Sequence, residues 1–376
     1  MEIGITTDVV DSSMYHRGVP ISVKRIIKNI VRIGSNYNFH LIHFYRNSDE
    51  IYHLGLDEII VKPYSIPSTV LSKTLANIFR APKLLKDLDI IHFTNPFLND
   101  FPLFFLPKTK KILTIWDMAY YLPESRAKFR ERPKAWIYQS LWKLMLPRIK
   151  NKIDMYITIS HGTKEGILKY LKIPEEKIRV IHLGVDDIFR PIEIEKTNDP
   201  LLPDEPFILT DKPYPALFKI YYNLKKRGIK HKLIVFSGRD YPGGKETVIN
   251  LGLEKDVLFL GYVSNEELVK LYNTADLYVR FVYFTGFGIP TVEAMACGCP
   301  VVVSNADAAP EVVGDAGILL SPYNLNEWVN KIYEVLTNEE LRREMAKKGI
   351  ERAKMFSWKK TAEKTLKVYR EVLERR

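Results

Sequence analysis

Glutamine and cysteine are almost absent from this 376-residue chain. The one glutamine is Gln139, and its scarcity beside abundant Lys, Glu and Ile is typical of a thermophilic source. The two cysteines, Cys297 and Cys299, are separated by one glycine and have no second pair. We therefore expect buried thiols and no structural zinc site.

Long apolar runs are also missing, because none reaches the roughly 20 residues that a membrane-spanning helix requires. The first ten residues, MEIGITTDVV, are typical of a buried first strand and not of a signal peptide. These two observations predict a cytoplasmic protein. The composition, 46% hydrophobic and 27% charged, is that of a globular chain, and the length predicts two domains.

Much of the net charge of +11 comes from one segment. Between residues 125 and 152, nine Lys or Arg and several aromatic residues accompany a single acidic residue, Glu131. Two interpretations stay open: a helix that lies peripherally on the anionic inner membrane face, or one that buries its apolar stripe in its own domain. Nucleic acid is not an expected partner, because the sequence has no RNA-binding fingerprint, zinc finger or GK[ST] phosphate loop.

Short apolar strand patterns alternate with helical patterns along nearly the whole chain. Such alternation predicts α/β architecture with doubly wound parallel sheets, and two sets of strands predict two such domains. The proline-rich, charged stretch between Phe189 and Pro206 is the predicted divide. We expect a first domain over 1–195, a second over 196–357, and a C-terminal helix, 358–376, that packs back on the first. The predicted strands are Ile3 to Thr6, Phe39 to Phe44, Asp89 to Phe93, Ile112 to Ile115, Met155 to Ile159 and Ile178 to His182, then Phe207 to Leu209, Lys232 to Phe236, Val257 to Leu260, Leu277 to Val279, Pro300 to Val303 and Gly317 to Leu320.

The stretch from Thr285 to Pro300, TGFGIPTVEAMACGCP, reads as loop, helix and strand. Glycines at the start of a helix let an anion or a sugar approach backbone N–H groups, where the helix dipole adds positive potential. Glu293, one turn into that helix, is suited to accept hydrogen bonds from hydroxyls, as in ribose recognition. The alternative is an ordinary helix N-terminus with a first-turn glutamate.

These residues and their surroundings resemble the retaining glycosyltransferases of the GT-B fold, specifically the group four (GT4) family. The resemblance is strongest from Asp256 to Pro322, which contains FGIPTVEAMACGCPVV and APEVVGDAGILLSP, and it includes ITISHGTKEGILKYLKIPEEKIRVIHLGVDDIFRP from Ile157 to Pro191. The resemblance implies two Rossmann-like domains that face a cleft. It also implies transfer of a hexose from a nucleotide-diphosphate sugar to a glycan or lipid-linked acceptor.

Several site residues follow from the resemblance alone. Glu293 matches the glutamate that holds the nucleotide ribose, and the loop Gly286, Phe287, Gly288 and Ile289 matches the segment that meets the sugar and phosphates. Gly18 matches the first-domain glycine loop that faces the phosphates. Arg239 is an implied contact of the diphosphate, with a solvated loop charge as the alternative. Thr285, Trp116 and Asp117 occupy the positions that the resemblance implies for catalysis, with Trp116 and Asp117 on the acceptor side.

The sequence departs from the family pattern at four places. Thr285 stands where the family has its first glutamate, Trp116 where it has a histidine, and Pro20 where it has a second glycine. The stretch from Pro206 to Gly228 lacks the glycine turn and Arg-Lys pair, which leaves Lys212 and Lys219 as substitutes. Thr285 can still hydrogen-bond a sugar hydroxyl, and Trp116 can stack on a pyranose face. Neither replaces a charge.

Three hypotheses follow: an active glycosyltransferase, a catalytically weakened or inactive homologue that binds a nucleotide sugar or a partner, and a different chemistry on the same scaffold, such as epimerisation or phosphorolysis. No metal-binding cluster is evident in the sequence, because His92, His161 and His182 are scattered singly. We expect transfer without a metal ion or other cofactor.

Overall fold

The computed structural model describes residues 1–11, 18–44, 50–66, 68–95, 98–118, 144–194, 201–236, 241–284 and 286–375. The chain divides into two compact units, one formed by Met1–Leu183 with Trp358–Arg376 and the other by Gly184–Ser357. Over these described ranges, no helix combines the length and the apolar character needed to cross a bilayer.

The first unit contains a seven-stranded parallel sheet in the order β3-β2-β1-β4-β5-β6-β7. Its strands are β1 (Glu2–Thr6), β2 (Asn38–His43), β3 (Asp57–Ile60), β4 (Ile90–Phe93), β5 (Lys110–Ile115), β6 (Met155–Thr158) and β7 (Ile178–Val180). All six predicted strands of this half are confirmed. The edge strand β3 was not predicted, because its sequence, DEII, carries two acids and its residues are exposed or only half-buried.

Helices cover this sheet, and the C-terminal helix Trp358–Glu374 packs against Val19–Ile33 in the same unit. The core combines apolar residues of β4, β5 and β6 with those of the flanking helices. The α-helices are Asp8–Asp11, Val19–Ile33, Thr69–Phe79, Ala81–Leu84, 144–149, His161–Gly166 and Trp358–Glu374. Short 3₁₀ segments lie at Glu50–His53, Leu98–Phe105, Lys150–Lys152 and Glu175–Lys177, and a π turn at Ile167–Leu171 extends the helix before it.

The second unit contains a six-stranded parallel sheet in the order β10-β9-β8-β11-β12-β13. The strands are β8 (Phe207–Thr210), β9 (Lys232–Val235), β10 (Val257–Phe259), β11 (Leu277–Arg280), β12 (Val301–Ser304) and β13 (Ile318–Leu320). All six were predicted. Each is followed by a loop at the same edge of the sheet, which is where open α/β sheets bind ligands.

The helices of this unit bury aromatic and aliphatic side chains against both faces of the sheet. Gly349, in the helix Glu339–Ala353, packs against Met295 of the helix Ile289–Ala296. The helices are Pro215–Lys226, Gly244–Asn250, Asn265–Thr274, Ile289–Ala296, Ala309–Val313, Leu325–Thr337 and Glu339–Ala353.

The structural boundary at Leu183 and Gly184 precedes the predicted one at residue 195. The proline-rich composition correctly indicates an irregular segment, which the structure describes over residues 189–194 and 201–206. The first residues of that segment, however, contact the second unit. Phe189 packs against Tyr272 with ring centroids 6.1 Å apart. The Ile192 backbone N–H donates to the Asn273 Oδ1 at 2.8 Å, and the Asn273 amide donates back to the Arg190 carbonyl at 3.1 Å.

Candidate functional site

A buried group of charged residues lies at the carboxyl ends of β8 and β11, which are neighbours in the second sheet. The Asp211 Oδ1 accepts a hydrogen bond from the Tyr278 hydroxyl at 2.7 Å and another from the Arg280 Nε at 3.2 Å. Its Oδ2 lies 3.2 Å from the Lys212 Nζ. Asp211 and Arg280 are only 7% and 8% exposed, so both charges are largely removed from water and compensate each other.

The pKa values reflect this pairing. Burial acts to raise the pKa of Asp211, but the attraction of Arg280 and Lys212 and the Tyr278 hydrogen bond outweigh it and lower the pKa to about 2. Burial and then the nearby Asp211 carboxylate raise the pKa of Tyr278 well above its usual value. Asp211 is therefore charged and Tyr278 neutral throughout the physiological range.

The described residues 281–284 and 286–288, here called the glycine loop, lie between β11 and the helix Ile289–Ala296, here called the site helix. The backbone N–H of Val282 donates to the Ser304 Oγ at 2.8 Å. Phe287 is 4% exposed and packs edge-on against Phe356, with centroids 5.5 Å apart. These contacts fix both ends of the loop.

Gly288 caps the site helix with φ +85°, in the left-handed region that favours glycine. A Cβ at this position would lie 2.8 Å from the Arg280 Nη1, so the guanidinium occupies the space beneath it. Pro290 follows in the first turn, where its missing N–H costs no helical hydrogen bond. The loop backbone is therefore presented at a helix N-terminus, a site with positive potential for an anion.

Glu293 lies one turn into the site helix and is half-buried. Its Oε2 accepts a hydrogen bond from the Tyr272 hydroxyl at 3.3 Å. Burial, and then the Glu293 charge, raise the pKa of Cys297 to about 12, so that thiol stays protonated. Both cysteines are free and buried, as predicted. The hydrogen bond from Tyr272 fixes the position of the Glu293 carboxylate, and its partial burial leaves it accessible to solvent.

The remaining second-unit candidates lie around this group. Gly286 and Ile289 are partly buried on either side of Phe287 and Gly288. Lys212 follows Asp211 directly, and its ammonium lies 5.7 Å from the Tyr241 ring centroid. Lys212 is thus shared between a carboxylate and an aromatic face, so part of its charge is already compensated.

Three candidates lie in the first unit. Gly18 is exposed, has φ +86° and caps Val19–Ile33, and its carbonyl accepts hydrogen bonds from the backbone N–H and the hydroxyl of Ser22, both at 3.0 Å. Trp116 follows β5 and is 7% exposed, with its indole N–H donating to the Thr94 carbonyl at 2.6 Å. Asp117 is half-buried beside it. Little of the Trp116 ring is open to a sugar in this conformation.

Some predicted residues lie outside the described part of the chain. They are Thr285, Arg239 and residues 125–143 of the basic segment. The described end of that segment, 144–152, contributes Leu146 and Ile149 to the core of the first unit, while Leu144 is 56% exposed.

The histidines do not all stand singly as the sequence suggested. The rings of His161 and His182 lie 5.9 Å apart within the first unit, because the two residues follow the carboxyl ends of β6 and β7, which pair in parallel. His92 is structural: its Nδ1 and Nε2 each lie 2.7 Å from a hydroxyl, those of Tyr369 and Thr114. Burial lowers the pKa of His92 to about 3, so its ring is neutral.

Sequence reasoning missed Asp211, Tyr278, Arg280 and Tyr272. One signal was available: an arginine ends the otherwise apolar strand LYVR, and an aspartate follows the apolar strand FILT. Two opposite charges at the ends of strands that share one edge predict an ion pair, provided that the strand order is known.

The fold defines a class: two doubly wound parallel-sheet domains with a glycine loop and helix N-terminus at the carboxyl edge of the second sheet. Two family descriptions match the chain, Glycosyltransferase Family 4 over residues 17–188 and Glycosyl transferases group 1 over residues 208–352. The chain belongs to the group four glycosyltransferases with the GT-B fold.

Individual relatives agree with this assignment. The O-antigen chain mannosyltransferase B of Escherichia coli is 26% identical over 291 residues, which cover 72% of this chain and 73% of that protein. The serotype-specific mannosyltransferase WbdA of the same organism is 28% identical over 56% of this chain, but the match spans only 28% of WbdA. The structure of Anabaena HepE in complex with UDP and glucose has a TM-score of 0.75 at 17% identity and covers 98% of this chain and 99% of that one.

Proposed function

We infer that this glycosyltransferase transfers a hexose, with retention at the anomeric carbon, from a nucleotide-diphosphate sugar to a glycan or lipid-linked acceptor. The observation that carries the proposal is the glycine loop at the N-terminus of the site helix, with the half-buried carboxylate of Glu293 one turn further on. The mannosyltransferase relatives support a hexose, and the HepE structure in complex with UDP-glucose, which is similar in fold, supports a nucleotide sugar as donor.

In this proposal each part of the site serves one part of the donor. Glu293 accepts hydrogen bonds from the ribose hydroxyls, and the backbone of Gly286, Phe287, Gly288 and Ile289 meets the sugar and the phosphates. The N-terminus of the site helix stabilises the negative charge that develops on the leaving diphosphate.

The other residues take more specific roles in the same proposal. Lys212 adds positive charge beside the diphosphate, with Arg239 as a second cation. Gly18 faces the phosphates from the first domain. Thr285 hydrogen-bonds the transferred sugar, and Trp116 and Asp117 shape the acceptor side.

A second candidate is a homologue that binds a nucleotide sugar without transferring it. The burial of Trp116 favours this alternative, because an indole that is 7% exposed offers little surface to a sugar. The pairing of Lys212 with Asp211 also favours it, since the lysine charge is partly compensated before any diphosphate binds.

A ligand screen followed by a turnover assay separates the two candidates. We expect UDP, GDP, ADP or TDP, or one of their hexose conjugates, to raise Tm. A ligand at 100 times its Kd adds roughly 2.7 kcal/mol to the free energy of unfolding. Release of the nucleoside diphosphate when a glycan or lipid-linked acceptor is added supports transfer. Binding without release supports the second candidate, and binding of none of these nucleotides contradicts both.

We predict that transfer does not need a metal ion. In this proposal the helix N-terminus and lysine and arginine side chains stabilise the negative charge of the leaving diphosphate, so no metal ion is needed for that purpose. Activity is expected to persist at full rate in excess EDTA. Loss of activity on chelation, with recovery on addition of Mg²⁺ or Mn²⁺, would show that the prediction is wrong.

Peripheral contact with an anionic membrane through residues 125–152 is a further prediction. The segment concentrates positive charge beside aromatic and aliphatic side chains, which suits it to anionic lipid. The protein should sediment with vesicles containing phosphatidylserine at low salt, and salt should release it. Replacing Lys128, Arg130 and Arg132 with Gln should weaken the association, whereas equal sedimentation with neutral vesicles would argue against it.

A further inference from the structure

The arginine that ends β11 is an unusual residue for its position. Arg280 follows Leu277, Tyr278 and Val279, each of which is fully buried, and is itself only 8% exposed. Burying a guanidinium costs several kcal/mol unless it is paired and hydrogen-bonded. The packing of the sheet alone does not require a charge here, since an apolar residue would fill the same place at lower cost.

The guanidinium is held in one orientation by the neighbouring strand. Asp211 follows β8, and its Oδ1 contacts the Arg280 Nε at 3.2 Å. The Tyr278 hydroxyl, two residues before Arg280 on the same face of β11, donates to the same Oδ1 at 2.7 Å. With the Nε directed at Asp211, the Nη1 lies under the glycine loop, 2.8 Å from where a Cβ of Gly288 would be.

This placement opposes the local helix dipole. A cation beneath the N-terminus of the site helix meets the positive end of that dipole, so the helix gains nothing from it. It does add positive potential where the loop backbone would meet an anion. The arrangement is therefore better explained by a role toward a bound anion than by a role in folding.

We propose that Arg280 is a positioning residue for the donor: fixed by Asp211, its guanidinium supports the glycine loop beneath Gly288 and holds it in the conformation that binds the nucleotide diphosphate. This inference rests on the proposed function and deepens it. Arg280 acts through the loop, because its burial keeps it from the substrate.

The test is a double-mutant cycle between positions 280 and 288, read out as the Kd of UDP, GDP, ADP or TDP, whichever binds the wild-type protein. Arg280→Met removes the charge at similar length and should weaken binding about tenfold, which is 1.4 kcal/mol. Gly288→Ala should weaken binding as well, because the new Cβ displaces the guanidinium. When Gly288→Ala is made in the Arg280→Met variant it should cost less, since the space beneath the loop is no longer filled by a guanidinium.

Controls separate this role from general stability. Arg179→Met removes an arginine paired with Glu371 in the first unit and should leave nucleotide affinity unchanged. If Arg280→Met alone does not fold, Asp211→Asn with Arg280→Met removes both buried charges and takes its place. Arg280→Lys, which keeps the charge, should recover part of the affinity.

The outcomes are distinguishable. A wild-type protein that binds none of the four nucleotides overturns the proposed function and this inference with it. A wild-type protein that binds, with Arg280→Met binding equally well or with Gly288→Ala costing the same in both backgrounds, overturns this inference alone. Weakened binding in Arg280→Met, together with a smaller cost of Gly288→Ala in that variant than in the wild-type protein, supports it.

Discussion

Replacing Asp211 with Asn should lower the free energy of unfolding by about 3 to 5 kcal/mol, because it leaves the Arg280 guanidinium buried without its counter-charge. Asn keeps the shape of Asp211 and can still accept the Tyr278 hydrogen bond, so the loss comes from the charge. Chemical unfolding followed by circular dichroism, together with calorimetry, measures it.

The double variant Asp211→Asn with Arg280→Met is the informative companion. It removes both charges and should be more stable than Asp211→Asn alone, since no guanidinium is left buried without a counter-charge. Glu339→Gln, which breaks an exposed pair with Arg343, should change stability by less than about 1 kcal/mol. Equal stability of Asp211→Asn and the wild-type protein would show that the buried pair contributes nothing.

The same pair predicts how stability depends on pH. The pKa of Asp211 is depressed from 3.8 to about 2 in the folded protein, so its contribution is present above the unfolded value of 3.8. That contribution is lost as the pH falls through about 2. The stability difference between wild-type protein and Asp211→Asn should therefore be constant near neutral pH and shrink only in acid.

Replacing Glu293 with Ala should weaken nucleotide binding about ten- to a hundredfold, because hydrogen bonds to a charged group are worth about 1.5 to 3 kcal/mol. Glu293→Gln keeps an acceptor for the Tyr272 hydroxyl and should lose less. Isothermal titration with the nucleotide found in the screen gives the affinities. Glu334→Gln, on an exposed helix face, is the matched control. Unchanged affinity in Glu293→Ala would remove the ribose contact from the proposal.

Much of the architecture could be predicted from the sequence, because strands buried on both faces are continuous apolar runs. Twelve predicted strands are present, with ends that differ by only a few residues. Strand β3 was not predicted, because an edge strand is partly exposed and its sequence does not need to be a continuous apolar run. The predicted domain boundary follows the structural one along the chain, because composition identifies an irregular segment but not the unit that the segment packs against. Phe189 and Ile192 lie in that segment and contact Tyr272 and Asn273 of the second unit.

The candidate site was predictable only where local sequence carries the signal. The sequence shows a glycine directly before a helical pattern, which predicts a positive φ at the start of the helix. Gly288 has that conformation in the structure. The contact of Arg280 with Asp211 joins residues 69 positions apart, so it depends on the strand order and not on any local pattern. Likewise, the buried Trp116 donates to the Thr94 carbonyl, 22 positions away, and spacing alone does not reveal this contact. The roles of these residues, the thermophilic source and the cytoplasmic location stay predictions.

The most direct test is a crystal structure of the protein with the nucleoside diphosphate that gives the largest thermal shift. The proposal predicts the ribose hydroxyls within hydrogen-bond distance of the Glu293 carboxylate and the phosphates against the backbone of Gly286 to Ile289, at the N-terminus of the site helix. A nucleotide bound elsewhere, with Glu293 and the glycine loop untouched, would contradict it.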